Sequence, residues 1–214
     1  MKLAILGATG RTGQALLRHA LEAGHHVTAV VRDPERLPGY LRTHLTVLTA
    51  AAFAPELLTP AVVGRDAVLN VTGPRDLGEA STVCTDSTAA ALTAMAQTDS
   101  NSRFVLASNS AMHPGAGDDP LTRYFVKPVI LARVLRHLNT DAREAERLVR
   151  ASTMEWTIVR AGRLTDAAGK GRFRAAPDRN IPGGFQITRT DFAQALLEAA
   201  SDPTAAGHAL AVAN

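Results

Sequence analysis

Along the chain, short apolar runs rich in Val, Ile and Leu alternate with longer segments in which apolar residues recur at helical spacing. The runs lie at residues 3–6, 27–31, 45–48, 67–71, 104–107 and 157–160. None shows the strict apolar-polar alternation of a half-exposed strand, so each is expected to be a strand buried on both faces. Between them the helical pattern covers 12–23, 55–62, 77–97 and 139–152, with a short turn of helix at 34–37. Strand then helix, repeated, predicts a doubly wound α/β fold: a parallel sheet between two layers of helices, joined by right-handed crossovers. HPGAGDDP, followed by a proline inside a helical run, predicts a loop and a broken helix over 114–128. From 160 to 180 the pattern dissolves into Gly, Arg and Ala, and a last helix is expected over 190–201, ended by Asp202-Pro203. Neither an internal repeat nor a disordered tail is visible.

With 214 residues, 46% of them hydrophobic, and a mean hydropathy of zero, residues 1–214 are expected to form one domain with a substantial core. The elements that meet a substrate are expected at 113–138 and 161–189, on loops that follow sheet strands. There are 23 Lys and Arg against 20 Asp and Glu, and the pI of about 9.5 reflects cations that are almost all arginine. No dense basic run with interleaved aromatic groups occurs, so nucleic acid is not an expected partner. No stretch reaches the roughly 18–20 apolar residues of a membrane span. The start lacks the long apolar segment and cleavage site of a secretory signal. Cys84, the lone cysteine, cannot form an intramolecular disulfide; it reads as a buried small hydrophobe in a reducing cytoplasm.

The strongest motif opens the chain. Residues 3–6 run into Gly7-Ala8-Thr9-Gly10-Arg11-Thr12-Gly13 and then into a helix, so the glycines occupy a strand-to-helix turn. Small residues there let backbone N–H groups approach a pyrophosphate, and the helix N-terminus adds partial positive charge. Gly7, Thr9, Gly10, Arg11, Thr12 and Gly13 are therefore candidate dinucleotide contacts, in a G-x-x-G-x-x-G spacing; the alternative is a plain tight turn. The second strand ends at Arg32, where an NAD site usually carries an acid for the ribose 2′-hydroxyl. A planar guanidinium suits a 2′-phosphate, so NADP(H) is the expected cofactor with NAD(H) as the alternative; otherwise Arg32 is a solvated surface residue. Asp33 reads as the cap of the short helix at Pro34. Thr72 and Gly73, at the end of the fourth strand, lie across the switch point from the first turn and should pass beside the nicotinamide ribose. The fifth strand ends in Ser108-Asn109-Ser110-Ala111-Met112-His113, polar groups at the edge where the nicotinamide would arrive.

GATGRTG, VVRDPERL, DAVLNVTGP, RFVLASNSAM, ERLVRASTMEWTIVRAGRLTD and ITRTDFAQALLEAASDP follow one another in an order and spacing that span nearly the whole chain. In this the sequence resembles the atypical short-chain dehydrogenases/reductases, in particular the NAD(P)H-binding proteins similar to flavin reductase/biliverdin-IXβ reductase and to NmrA-like regulators. The resemblance implies a Rossmann-type sheet with the cofactor across its carboxyl edge, Ser108 near the nicotinamide, and a small C-terminal substrate region. It also implies that Ala50 and Ala51 take the adenine-side position where the family has Gly-Asp.

The departures bear on the chemistry. Short-chain dehydrogenases typically protonate a substrate oxygen with a Tyr-x-x-x-Lys pair and a serine. Here Tyr124 and Lys127 are three apart, the helix before Trp156 has no such pair, and Asn109 stands where the family has its second serine. Asn109, Ser110 and His113 remain as candidate catalytic groups, His113 as a proton donor. Tyr124 reads as a packing residue next to Phe125 with a proton donor as the alternative, Trp156 as core, and Asp141 and Glu146 as groups that support helix packing or capping, with a role in the site as the alternative. Seven cations between Arg160 and Arg189, opposed by only Asp166 and Asp178, form a solvated surface or receive an anionic acceptor such as a flavin phosphate or a tetrapyrrole carboxylate. No metal-ligand spacing is present. The expected function is reduction of a flavin, quinone or tetrapyrrole-like acceptor by NADPH, since a reduced flavin or quinone can take its proton from water. The alternative is an NmrA-like sensor that binds NADP(H) without turnover. A monomer or weak homodimer is expected.

Overall fold

The computed structural model describes residues 1–98 and 100–214. Its first apolar run forms β1 (Lys2–Leu6), followed by α1 (Arg11–Glu22), β2 (His26–Val31), a single 3-10 turn at Pro34–Arg36, α2 (Gly39–Arg42), β3 (Thr46–Thr49) and α3 (Pro55–Val62). Next come β4 (Ala67–Asn70), α4 (Val83–Gln97), β5 (Arg103–Asn109), a π-helical segment at Thr122–Leu131, α5 (Ala132–Val134) and α6 (Arg136–Ala151). The chain finishes with β6 (Trp156–Ala161), β7 (Arg163–Thr165), β8 (Arg174–Pro177), β9 (Gln186–Thr188), α7 (Arg189–Ser201) and β10 (Ala209–Ala213).

Eight strands pair in the order β3-β2-β1-β4-β5-β6-β10-β8, all parallel except β8, which runs antiparallel to β10. Alternate side chains of the central strands enter opposite cores. Leu3 and Ile5 of β1 pack in the layer built with α1 and α7, while Ala4 and Leu6 pack in the layer built with α3, α4 and α6. That two-sided burial is why these strands read as continuous apolar runs. β3 departs from the expectation of burial on both faces. Its Thr46 and Thr49 are exposed, because β3 is the edge of the sheet and has no strand beyond it.

Other boundaries also shift. The fourth helix starts at Val83, not 77: Gly73, Pro74 and Gly78 keep 71–82 irregular. Pro128 does not break its helix, because the run around it is wound as a π-helix, whose looser turns accommodate a residue without an N–H. Tyr124, expected to pack, is 70% exposed. Trp156 sits at the margin of its core, with the Arg150 guanidinium 5.6 Å from its ring centre. Asp33 caps the 3-10 turn as expected, accepting from the Glu35 N–H at 3.0 Å. Asp141 caps a helix other than its own: its carboxylate accepts from the backbone N–H groups of Cys84 and Thr85 at 2.9 and 2.8 Å, at the start of α4. Asp141→Ala is expected to lower the unfolding free energy by about 1–3 kcal/mol, since one buried and one half-buried donor lose their acceptor; urea unfolding would measure it.

Candidate active site

All the carboxyl ends of the central parallel strands open on one edge of the sheet, and the order reverses between β1 and β4. This is where an open α/β sheet has its crevice. A cavity of about 870 Å³ lies there, bounded by the β1–α1 turn, residues 71–75, the end of β5, the π-helical segment and the loop before β9.

The β1–α1 turn is shaped by glycines. Gly7 has a φ of +81°, and a Cβ there would lie 2.8 Å from the backbone of Val71 and Thr72. A Cβ on Gly13 would sit 2.2 Å from the Gly7 carbonyl oxygen. The turn is thus pressed between the start of α1 and the end of β4 with no room for side chains. No side chain caps α1 and its first turn carries no acid, which leaves N–H groups free to meet an anion. This cradle fits a dinucleotide pyrophosphate. Gly10, Arg11 and Thr12 line the cavity, Gly7 and Gly13 hold the turn's shape behind it, and Thr9 is half-buried in the turn, where its carbonyl oxygen accepts from the Gln14 amide at 3.2 Å.

Thr72 and Gly73 line the cavity opposite. Their turn is held by Asn70, a fully buried residue that the sequence reading did not single out. Its Oδ1 accepts from the Thr72 N–H and hydroxyl, and its Nδ2 donates to Ser87 and Thr88 on α4. Ser108, Asn109 and Ser110 also line the cavity. The Asn109 Oδ1 accepts from the Ala111 N–H at 3.0 Å, whereas its Nδ2 is buried and has no partner among the described residues.

The sequence of the NAD(P)H-binding family matches residues 7–203. The chain belongs to that family. It is similar to the uncharacterized protein YwnB of Bacillus subtilis, 25% identical over 213 residues that cover 95% of this chain and 93% of YwnB. Among solved structures it is similar to a short-chain dehydrogenase/reductase from Veillonella parvula in complex with NADP (TM-score 0.78, 19% identity, 100% of this chain and 94% of that one). It is also similar to ChuY, an anaerobillin reductase from Escherichia coli O157:H7 (TM-score 0.77, 18% identity, 100% and 97%). At these identities the structural likeness speaks for the Rossmann-like fold.

Several expected site residues of this NAD(P)H-binding protein lie elsewhere. His113 does not line the cleft. A tight turn after β5, with the His113 N–H bonded to the Ser110 carbonyl, carries its ring away so that Nε2 sits 3.3 Å from the Glu146 carboxylate. Ala50 is buried in the core packed with α3 and α4, Ala51 is exposed, and neither lines this cleft. Arg32 is exposed and lines a separate cavity of about 640 Å³ with Phe53, Ser81, Thr82 and Asp86.

Behind β5, Glu146 is 1% exposed and accepts from Ser108 Oγ (2.8 Å), Arg160 Nε (2.8 Å) and Arg150 (2.8 Å). Burial alone would raise its pKa; hydrogen bonds from Arg160, His113 and Arg150 outweigh that and hold the carboxyl well below the ordinary glutamate range. Ser108 is therefore oriented by a carboxylate that the sequence marks first as helix support. Lys127 forms a second buried network: its Nζ donates to both Asp118 oxygens at 2.8 and 2.9 Å, and Asn180 donates to the same carboxylate. All three line the cleft and tie 113–127 to the loop before β9. The acidic pair in HPGAGDDP was the available signal; its partner Asn180 lies 62 residues away.

Two of the seven cations of the arginine-rich stretch are ion-paired among the described residues. Arg160 binds Glu146, while Arg189 and the phosphate-turn residue Arg11 share Asp166 at 2.5 and 2.7 Å. Cys84 is buried as expected, and burial followed by the Asp141 charge pushes its thiol far up, away from nucleophilic use. Among the described residues no cluster of His, Cys, Asp and Glu could hold a metal, and no helix is long and apolar enough to cross a membrane.

Proposed function

We propose that this chain is an NADPH-dependent reductase that passes a hydride to a flavin, quinone or similar conjugated acceptor. The observation that carries the reading is the cleft itself. It runs from the glycine turn to the end of β5, has apolar walls that include Leu135, Leu138, Phe185 and Phe192, and contains neither of the chain's tyrosines, Tyr40 and Tyr124. When bound, NADPH supplies the hydride. The protein's own residues orient and polarise. The glycine turn and α1 hold the pyrophosphate, Thr72 and Gly73 border the ribose, and the free Asn109 Nδ2 donates to an acceptor oxygen or ring nitrogen as negative charge develops on it. With Ser108 donating to Glu146, the acceptor takes its proton from water, which suits a flavin or quinone and not a ketone.

The NADPH preference rests on Arg32, at the tip of β2 beside the second cavity, where the adenosine end would lie. A charge-assisted hydrogen bond is worth about 1.5–3 kcal/mol, so Arg32→Ala is expected to weaken NADPH binding by roughly ten- to a hundredfold and leave NADH binding unchanged. Fluorescence titration with both nucleotides tests this. If the variant binds both as the parent does, the 2′-phosphate is not read by Arg32. The lack of a tyrosine in the cleft equally favours a sensor of the NmrA-like kind. A reductase oxidises NADPH when an acceptor is added; a sensor binds NADPH, consumes none, and changes its hold on a partner protein with the redox state of the nucleotide.

A further inference from the structure

The segment that forms one wall of the cleft has a second, outward face. Thr122, Val126, Lys127 and Leu131 turn inward and line the cavity. Leu121, Tyr124, Phe125, Val129, Ile130 and Val134 turn outward and are 43–70% exposed. These six are over half of the large exposed apolar side chains of the described residues, gathered on one short stretch. A patch of this kind on an otherwise ordinary surface marks a place of contact.

The charges around it discriminate between occupants. From Pro120 to Thr140 there is no Asp or Glu, and the cations are Arg123, Lys127, Arg133 and Arg136. Lys127 is spent on Asp118 inside, so three exposed arginines flank the apolar face. A second copy docked through this face by a two-fold axis would bring the same arginines of both copies into one interface, where Asp119, at the start of the segment, is the one neighbouring exposed acid in the chain from 119 to 140. Apolar and aromatic side chains ringed by arginine instead match the boundary of a bilayer with anionic headgroups, the aliphatic groups entering the acyl edge and the guanidinium groups meeting phosphate.

We propose that the outer face of residues 121–136 docks on an anionic lipid bilayer, from which the adjoining cleft draws a lipid-dissolved quinone, the second half of this resting on the reductase reading above. Leu77 and Phe185, exposed at 48% and 60%, also line that cleft and add apolar surface to it. Quinone, NADPH and one proton from water would give quinol and NADP⁺.

Co-sedimentation of the full chain with vesicles of phosphatidylcholine alone, and of phosphatidylcholine mixed with phosphatidylglycerol, tests the surface without any turnover. Each arginine near an anionic surface contributes roughly fivefold to partitioning, so binding to the anionic vesicles is expected to exceed that to the neutral ones by on the order of a hundredfold. It should fall with added salt. The double variant Phe125→Asp/Ile130→Asp should lose vesicle binding while keeping the parent's NADPH fluorescence titration, which shows that it is folded. Two results would overturn the proposal: no binding to either vesicle, or a parent dimer in sedimentation velocity that the same variant disperses, which would give the face to a second copy. Vesicle binding without oxidation of NADPH by a quinone in the bilayer would uphold the surface and remove the acceptor.

Discussion

Gly13→Ala is expected to abolish NADPH binding at micromolar protein. The added methyl would lie 2.2 Å from the Gly7 carbonyl oxygen and 2.8 Å from the Ala8 Cα, both backbone atoms that no side-chain rotation can move. The start of α1 would have to lift off the turn, and the N–H groups proposed to meet the pyrophosphate would move with it. Losing even one charge-assisted contact costs about 1.5–3 kcal/mol, and this change displaces several, so a loss of a hundredfold or more is expected. Over-packing would also lower stability by about 1–3 kcal/mol. Gly39→Ala is the comparison, because a Cβ there meets nothing. Unchanged NADPH affinity in a folded Gly13→Ala protein would mean that the phosphates are held elsewhere.

The largest effect on stability is expected from Glu146. Glu146→Ala leaves the Arg160 guanidinium, whose side chain is 13% exposed, without its carboxylate, and removing one partner of a buried ion pair costs about 3–5 kcal/mol. Urea unfolding at neutral pH would measure that loss. The acid limb gives an independent reading. Because the folded carboxyl ionises well below the ordinary value of 4.5, folded and unfolded chains both carry the charge above about that pH, and the stabilisation is complete there. As the pH falls below 4.5 the unfolded chain takes up the proton first, and the contribution declines until the folded group is protonated too. The parent should therefore lose stability between pH 4.5 and the lower folded value, and Glu146→Gln should show a shallower decline from a lower start. Equal stability of parent and variant would contradict the buried network.

What could be read from the sequence follows the range of the interactions. β1, its glycine turn and α1 are adjacent in the chain, and the turn's shape depends on the spacing of its glycines, so GATGRTG was legible as a tight strand-to-helix turn. The central strands were legible because burial on both faces leaves an uninterrupted apolar run. β8 and β10 were not. Ala209–Ala213 is alanine-rich and short, a composition that suits helix and strand alike, and its place beside β6 is decided by pairing across 50 residues of chain. In the cleft, Thr72, Ser108 and Asn109 were recognisable as strand-end residues. The direction of His113 was not, because one turn after β5 decides whether its ring meets the nicotinamide edge or Glu146. The Glu146–Arg160–Ser108 and Lys127–Asp118–Asn180 networks join residues far apart in the chain, so the sequence shows their members singly and not that they meet.

The most direct measurement is the rate of loss of reduced-nicotinamide absorbance when the purified protein is mixed with NADPH and FMN or a quinone, with NADH run in parallel. The account predicts turnover that saturates with acceptor and favours NADPH over NADH. NADPH seen to bind by fluorescence, with no flavin or quinone reduced, would contradict it and leave a cofactor-binding sensor.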